Sequence, residues 1–245
     1  MDVLDVDVTE LPSLLSNSKA RGFRGLNITH TCKQAVISHL DDLSPEAQVL
    51  NAVNTVVFED GKRVGHNTDW WGFAEAFRRN LSNAPRRVVV QMGAGGGGSA
   101  VAYALLTLGV HELTIFDLAV GRAASLAASL KRCFPDAKIS GGVNVIESLR
   151  AADGLVNATP VGMAKCPGIP VPHQCLRPDL WVADIVYFPL HTTLLQAARK
   201  AGCKTMGGGG MAVYQAAEAF RLFNSVIADS DRMYRHFAQL TKASL

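Results

Sequence analysis

Three glycines, Gly93, Gly95 and Gly98, fall on the spacing G-x-G-x-x-G, in a run that also holds Ala94, Gly96 and Gly97. Glycine at such positions lets a backbone turn tightly and approach a pyrophosphate closely. A helix starting at the turn offers unpaired N–H groups and the positive end of its dipole to the anion. Asp117 stands where a carboxylate would accept hydrogen bonds from the hydroxyls of an adenosine ribose. Its charge would repel a 2′-phosphate, which favours NAD over NADP; Arg122, close by, leaves NADP open.

A second set of polar residues gathers at the ends of short apolar runs: Thr29, Lys33, Asn54, Asn67 and Asp69. Each has a plain structural alternative. Asp69 can cap the helix that follows it, and Asn54 can satisfy a buried turn. Lys33 can be a solvated first-turn lysine, although a positive charge at a helix start opposes the macrodipole. Beside a nucleotide-binding turn, the five read together as a polar site.

The elements that must position these residues follow from periodicity. Val88 to Val90 is the β-branched run of a buried parallel strand, Ser99 to Leu108 a helix, and Leu113 to Phe116 a second strand, which makes a βαβ unit around the glycines. The alternation continues with a helix over 121–134, a strand over 137–141, a helix over 146–152 and a strand over 154–158. The turn 159–163 lies past that strand's carboxyl end, where open α/β sheets bind ligands. A strand over 181–186, a helix over 192–201, a strand over 203–206 and helices over 211–226 and 230–240 complete this half.

Upstream, Asp2 to Val8 alternates as a half-exposed strand and Leu11 to Ala20 forms a helix with Pro12 in its first turn. A strand over 25–29, a helix over 33–40, a helix capped by Ser44, a strand over 52–58, a turn over 59–62 and a helix over 70–81 follow. The expected fold class is α/β: a small N-terminal α/β substrate domain over 1–85, a Rossmann-like dinucleotide-binding domain over 86–210, and C-terminal helices over 211–245 returning to the first domain.

Composition excludes several classes of partner. Among 245 residues the net charge is only +3, with Lys and Arg scattered, so no nucleic acid or membrane surface is expected to bind. No apolar run reaches transmembrane length, and the acidic N-terminus has no signal-peptide pattern. Five cysteines form no C-x-x-C pair, which fits reduced thiols in the cytoplasm, and no metal site is expected.

Over nearly its whole length the chain resembles the shikimate and quinate/shikimate dehydrogenases. The resemblance rests on Gly25-Leu26-Asn27-Ile28-Thr29 through Lys33, Asn51-Ala52-Val53-Asn54-Thr55, Gly65-His66-Asn67-Thr68-Asp69 with Gly72, and the 93–98 turn. It continues through Asn157-Ala158-Thr159-Pro160 with Gly162-Met163, Asp184-Ile185-Val186-Tyr187 with Pro189, and Met211 with Gln215. His30 and Asp117 look more like the NAD-preferring quinate/shikimate branch. The resemblance implies hydride exchange between nicotinamide and the C3 carbon of a hydroxylated ring carboxylate, shikimate or quinate. It makes Lys33 and Asp69 the catalytic pair; which of them holds the proton at rest stays open, because burial and pairing push a lysine in opposite directions. It also makes Thr29, Asn54, Tyr187 and Gln215 substrate-binding, and adds Thr159, Met163 and Gly208 to the dinucleotide contacts of the turn, Asp117 and Arg122.

Four departures from the family pattern qualify this. The family opens with a strand and a Ser-x-Ser loop for the substrate carboxylate, whereas this chain starts at Met1 beyond that region, and Ser16-Asn17-Ser18 falls in the first expected helix. Either the protein starts further upstream or substrate binding is weakened by the loss of charge-assisted bonds of about 1.5–3 kcal/mol each. Thr31 replaces a proline before Lys33, four successive glycines loosen the turn at 95–98, and Gly207 to Gly210 loosens the approach to Gln215. The expected activity is an NAD-preferring shikimate or quinate dehydrogenase, a monomer or homodimer. The alternatives are a non-catalytic nucleotide-binding relative and a dehydrogenase for a related hydroxy acid.

Overall fold

The computed structural model describes residues 7–29 and 32–242, which form two compact units: 7–68 with 216–228, and 69–215 with 229–242. The expected strand at Asp2 to Val8 lies, for residues 2–6, outside the described residues, as do His30 and Thr31. Its last two residues are not extended into a strand. Val8 opens a 3₁₀ turn, Val8–Glu10, and Asp7 caps it through a reciprocal capping box with Glu10.

In the first unit helix α1, Leu11–Ala20, is as expected, with Pro12 in its first turn and Leu11 and Leu15 buried. Strand β1 is Gly25–Asn27, helix α2 Cys32–Ala35, strand β2 Asp42–Leu43, helix α3 Pro45–Leu50, strand β3 Thr55–Glu59 and strand β4 Lys62–His66. The helix expected over 33–40 is α-helical only to Ala35 and tightens into a 3₁₀ turn over Val36–His39, where β-branched Val36 and Ile37 favour the α-helix least. Ser44 caps α3 by accepting the Ala47 N–H. Asp60 and Gly61, both at positive φ, form the two-residue turn that joins β3 to β4. The sheet order is β1-β3-β4-β2, with β2 parallel to β4 and the other pairs antiparallel. Leu11, Leu15, Val36, Val53 and Val56 form its core. In this unit, too, a Cβ on Gly25 would collide with the Phe223 ring.

The second unit begins with helix α4, Asp69–Asn80, and continues with β5 (Val88–Met92), α5 (Gly96–Thr107), β6 (Glu112–Phe116), α6 (Val120–Cys133), β7 (Lys138–Gly141), α7 (Val145–Arg150) and β8 (Gly154–Asn157). Then come β9 (Trp181–Asp184), α8 (Thr193–Lys200), β10 (Thr205–Met206), α9 (Gly209–Asn224) and α10 (Ser230–Lys242). All its strand pairs are parallel, in the order β10-β9-β8-β5-β6-β7. Read from β7, this is the 3-2-1-4-5-6 order of a doubly wound dinucleotide fold, and the order of strand addition reverses between β5 and β8. Both faces of such a sheet must be covered. On α4, Phe73 and Phe77 are fully buried, each worth about 1.5–3 kcal/mol. Phe77 meets the Trp181 ring edge-on at 5.1 Å. The two closing helices divide between the units: 216–224 of α9 belongs to the first, and α10 to the second, where Tyr234 stacks on Tyr214. Among the described residues no helix is long and apolar enough to cross a membrane.

Candidate active site

The glycine turn leaves the carboxyl end of β5 at the point where the strand order reverses, beside the end of β8. Gly93 has φ +99°, a left-handed conformation, and a Cβ on it would sit 2.5 Å from the Ala158 carbonyl oxygen. A Cβ on Gly98 would strike the Gly93 carbonyl. These two glycines are therefore demanded by the fold itself. Gly95 and Gly96 differ, since a Cβ on either meets nothing within 4 Å. That space, at the mouth of the turn, fits the close approach of a pyrophosphate. Helix α5 begins at Gly96 and not at Ser99, so three of the four successive glycines are wound into its first turn. Close packing of Gly98 on Gly93 works against glycine's low helix propensity, a cost of about 1 kcal/mol per residue.

Two side chains hold this turn. Gln91 is fully buried in β5 and its Nε2 donates to the carbonyls of both Gly93 and Gly98, each at 2.8 Å. Its Oε1 is the buried side-chain atom left without a partner among the described residues. Asp117, just past β6, accepts the Ala94 N–H on Oδ2 at 2.8 Å and the Ala119 N–H on Oδ1 at 2.9 Å. Arg122 lies 3.7 Å from Oδ1 and is exposed. Burial works to raise the Asp117 carboxyl, but the two N–H groups and Arg122 outweigh it and hold it below its ordinary value. A carboxylate so placed stays ionised and retains lone pairs for a ribose.

At the ends of β8 and β9 a buried network ties two loops together. Asn157 and Asp184 are register partners, and the Asn157 Nδ2 donates to Asp184 Oδ1 at 2.9 Å. Asn157 Oδ1 accepts from the Thr159 N–H and hydroxyl, at 3.1 and 2.7 Å. Thr159 and Gly93 touch the same spot, since a Cβ on Gly93 would lie 3.0 Å from Thr159 Cγ2. Met163 and Tyr187, on the two loops, are exposed. Gly208 is buried against the backbone of residues 185 and 186, where a side chain would collide.

The remaining candidates lie in both units. Thr29, Lys33 and Asn54 belong to the first, and Asp69, Tyr187 and Gln215 to the second. The Lys33 carbonyl accepts the Val53 N–H at 2.8 Å, which seats the lysine beside the approach to β3. Asn54, buried, bonds Thr68 through both ends of its carboxamide, and the Thr55 hydroxyl donates to its Oδ1 at 3.1 Å. Asp69 is buried in the first turn of α4. Gly72 lets α4 meet α9 closely, because a Cβ there would sit 2.7 Å from both the Gln215 nitrogen and the Met211 carbonyl oxygen. Asp69 and Gln215 are thus carried on helices in direct contact. Sequence reasoning missed Gln91, Thr68 and Thr192 as holding residues; for Gln91 the signal was a lone polar side chain in the run Val88-Val89-Val90-Gln91-Met92.

Comparison with known proteins agrees with this arrangement. Residues 1–56 match the family model for the shikimate dehydrogenase substrate binding domain. A shikimate dehydrogenase (NADP(+)) of Streptomyces avermitilis is 53% identical over 242 residues, 98% of this chain and 83% of that protein. A quinate/shikimate dehydrogenase (NAD(+)) of Corynebacterium efficiens is 47% identical over 94% of this chain and 82% of its own. Among solved structures, quinate dehydrogenase from Corynebacterium glutamicum in complex with NAD superimposes with a TM-score of 0.89 at 46% identity, covering 96% of this chain and 83% of that one. With the parallel sheet, the glycine turn and these relatives in agreement, the chain belongs to the shikimate and quinate dehydrogenase family.

Proposed function

We propose that this protein oxidises shikimate, quinate or both, reversibly, to the 3-dehydro product, with NAD preferred over NADP. It is an NAD(P)-dependent oxidoreductase of its family. The observation that carries the reading is the 93–98 turn at the reversal of strand order, with Gly95 and Gly96 facing open space and Asp117 bonded to Ala94. Nicotinamide dinucleotide, when bound, supplies the hydride acceptor for the alcohol carbon and the donor in reverse. The first N–H groups of α5, which have no partner within the helix, receive the pyrophosphate.

Asp117 accepts the ribose hydroxyls, and its charge disfavours a 2′-phosphate. Relatives named for NAD and for NADP are both similar to this chain, so the preference rests on Asp117. Lys33 and Asp69 manage the hydroxyl proton: as the carbon gives up hydride, the O–H proton passes to this pair and the oxygen becomes a carbonyl. In the reverse direction the pair returns it. Thr29, Asn54 and Gln215 hydrogen-bond ring hydroxyls, Tyr187 lines the substrate, and Thr159, Met163 and Gly208 border the dinucleotide. The five unpaired cysteines support a cytoplasmic location.

NADH formation by the purified protein with shikimate and with quinate, repeated with NADP, tests the reading. Turnover with NAD on either acid is the expected result. Dinucleotide binding without turnover on both acids would overturn it.

A further inference from the structure

Asp184 is 1% exposed, and among the described residues no cation pairs with its carboxylate. Both of its oxygens are bonded. Oδ1 accepts the Asn157 amide at 2.9 Å and the Val186 N–H at 3.0 Å, while Oδ2 accepts the Thr192 hydroxyl at 2.7 Å. The first donor stands at the base of the 158–163 turn, and the other two lie at the two ends of the 185–192 loop. Through Asn157, the network reaches the 158–163 turn, whose Val161 carbonyl accepts the second Asn157 proton at 2.8 Å and whose Val161 N–H donates to Thr159 Oγ1 at 3.1 Å. Through Val186 it holds the backbone next to Tyr187. Through Thr192, whose hydroxyl oxygen also caps α8 by accepting the Leu195 N–H at 3.3 Å, it reaches the far end of the same segment.

A buried carboxylate without a counter-ion is costly, and a hydrophobic residue would serve packing alone at least as well. Burial raises the carboxyl against the pull of its three donors, which agrees with that cost. What the carboxylate provides is geometry. Two loops that leave adjacent strands, and that bear Thr159, Met163 and Tyr187, share one acceptor. Gly162, at φ +108°, carries the first loop past Thr192, where a Cβ would come within 3.4 Å of the threonine side chain.

We propose that Asp184, with Asn157 and Thr192, is a positioning residue that locks the 158–163 and 185–192 loops in mutual register for dehydrogenation. The proposal rests on the dehydrogenase reading above and adds to it which buried groups set the loops that face dinucleotide and substrate. Asp184→Asn keeps the shape but places an N–H₂ group where one oxygen accepted. Thr192→Val removes both the donor to Asp184 and the cap of α8 while leaving the volume, and Thr192→Ser restores the hydroxyl.

The test combines steady-state kinetics on shikimate or quinate with amide hydrogen exchange on the same samples. Expected for Thr192→Val is a kcat lower by about tenfold together with a raised dinucleotide KM, because the 158–163 loop borders the dinucleotide. Thr192→Ser should recover, and exchange should quicken in both loops together. Asp184→Asn should do the same where it folds. A lower melting temperature with unchanged kcat, or faster exchange confined to 185–192, would overturn the proposal. Should the wild type turn over neither acid, the dehydrogenase reading fails by itself, and the exchange data still decide whether the loops are locked as one.

Discussion

Asn54 grips Thr68 from both ends of its carboxamide: Oδ1 accepts the Thr68 N–H at 2.7 Å, and Nδ2 donates to the Thr68 hydroxyl at 3.0 Å. The residue assigned to substrate therefore also fixes the backbone one step before Asp69. Asn54→Ala strands a buried N–H and should cost about 1–3 kcal/mol of stability. Urea denaturation measures this, and a variant as stable as the wild type would show that the clamp carries no weight. The same variant should raise the shikimate or quinate KM if its carboxamide also meets the ring.

Lys33→Ala and Asp69→Asn should each lower kcat by about 10²–10⁴-fold, the usual worth of a positioned acid or base. Dinucleotide affinity, read by fluorescence titration, should stay within about twofold of wild type. A variant with near-normal kcat removes that residue from the proton path.

Asp117→Asn should shift the ratio of kcat/KM for NAD over NADP towards NADP by about tenfold, equivalent to roughly 1.4 kcal/mol of lost repulsion. The asparagine Oδ1 can still accept the Ala94 N–H, although its amide then faces the Ala119 N–H, so the melting temperature measured beside the kinetics separates loss of charge from loss of that second bond. An unchanged ratio would move the discrimination elsewhere, with Arg122 the next residue to replace.

Gln91→Leu removes two hydrogen bonds, each worth about 0.5–1.5 kcal/mol, from the carbonyls at the two ends of the glycine turn. The dinucleotide Kd should rise while the acid-substrate KM holds. Isothermal titration with NAD distinguishes this from general destabilisation, which would move the melting temperature and leave Kd alone.

Asp184 should leave a mark on stability against pH. Its folded carboxyl is raised above the ordinary 3.8 by burial. Between those two values the folded chain binds more protons than the unfolded one, so stability is greatest below the ordinary value and declines as pH rises through the raised one. Asp184→Asn should flatten that decline in denaturation midpoints measured across acidic pH. A slope identical to wild type would assign the titration to another group.

Much of this was legible from residue types. Ser44, Pro12 and the Asp60-Gly61 pair act at their own positions through local chemistry, so α1, α3 and the β3–β4 turn follow from the sequence. The start of α5 did not, because three glycines read as a loop until Gly98 is seen seated on the Gly93 carbonyl. Val8 alternates with its acidic neighbours like a strand residue, yet the Asp7–Glu10 capping box outweighs two-residue periodicity. The Asn157, Asp184 and Thr192 cluster joins positions far apart in the chain, and nothing in their separate neighbourhoods announces it.

The glycines at the head of α5 are not equivalent in what they allow evolution to do. At Gly98 no larger residue can be admitted, whereas at Gly96 an alanine has room and should make the protein harder to melt, by about 0.4–1 kcal/mol. That same methyl would occupy the space offered to the phosphates. The bare backbone at Gly96 is thus a standing sacrifice of ruggedness for affinity, and a lineage released from the need to hold a nucleotide would be free to fill it.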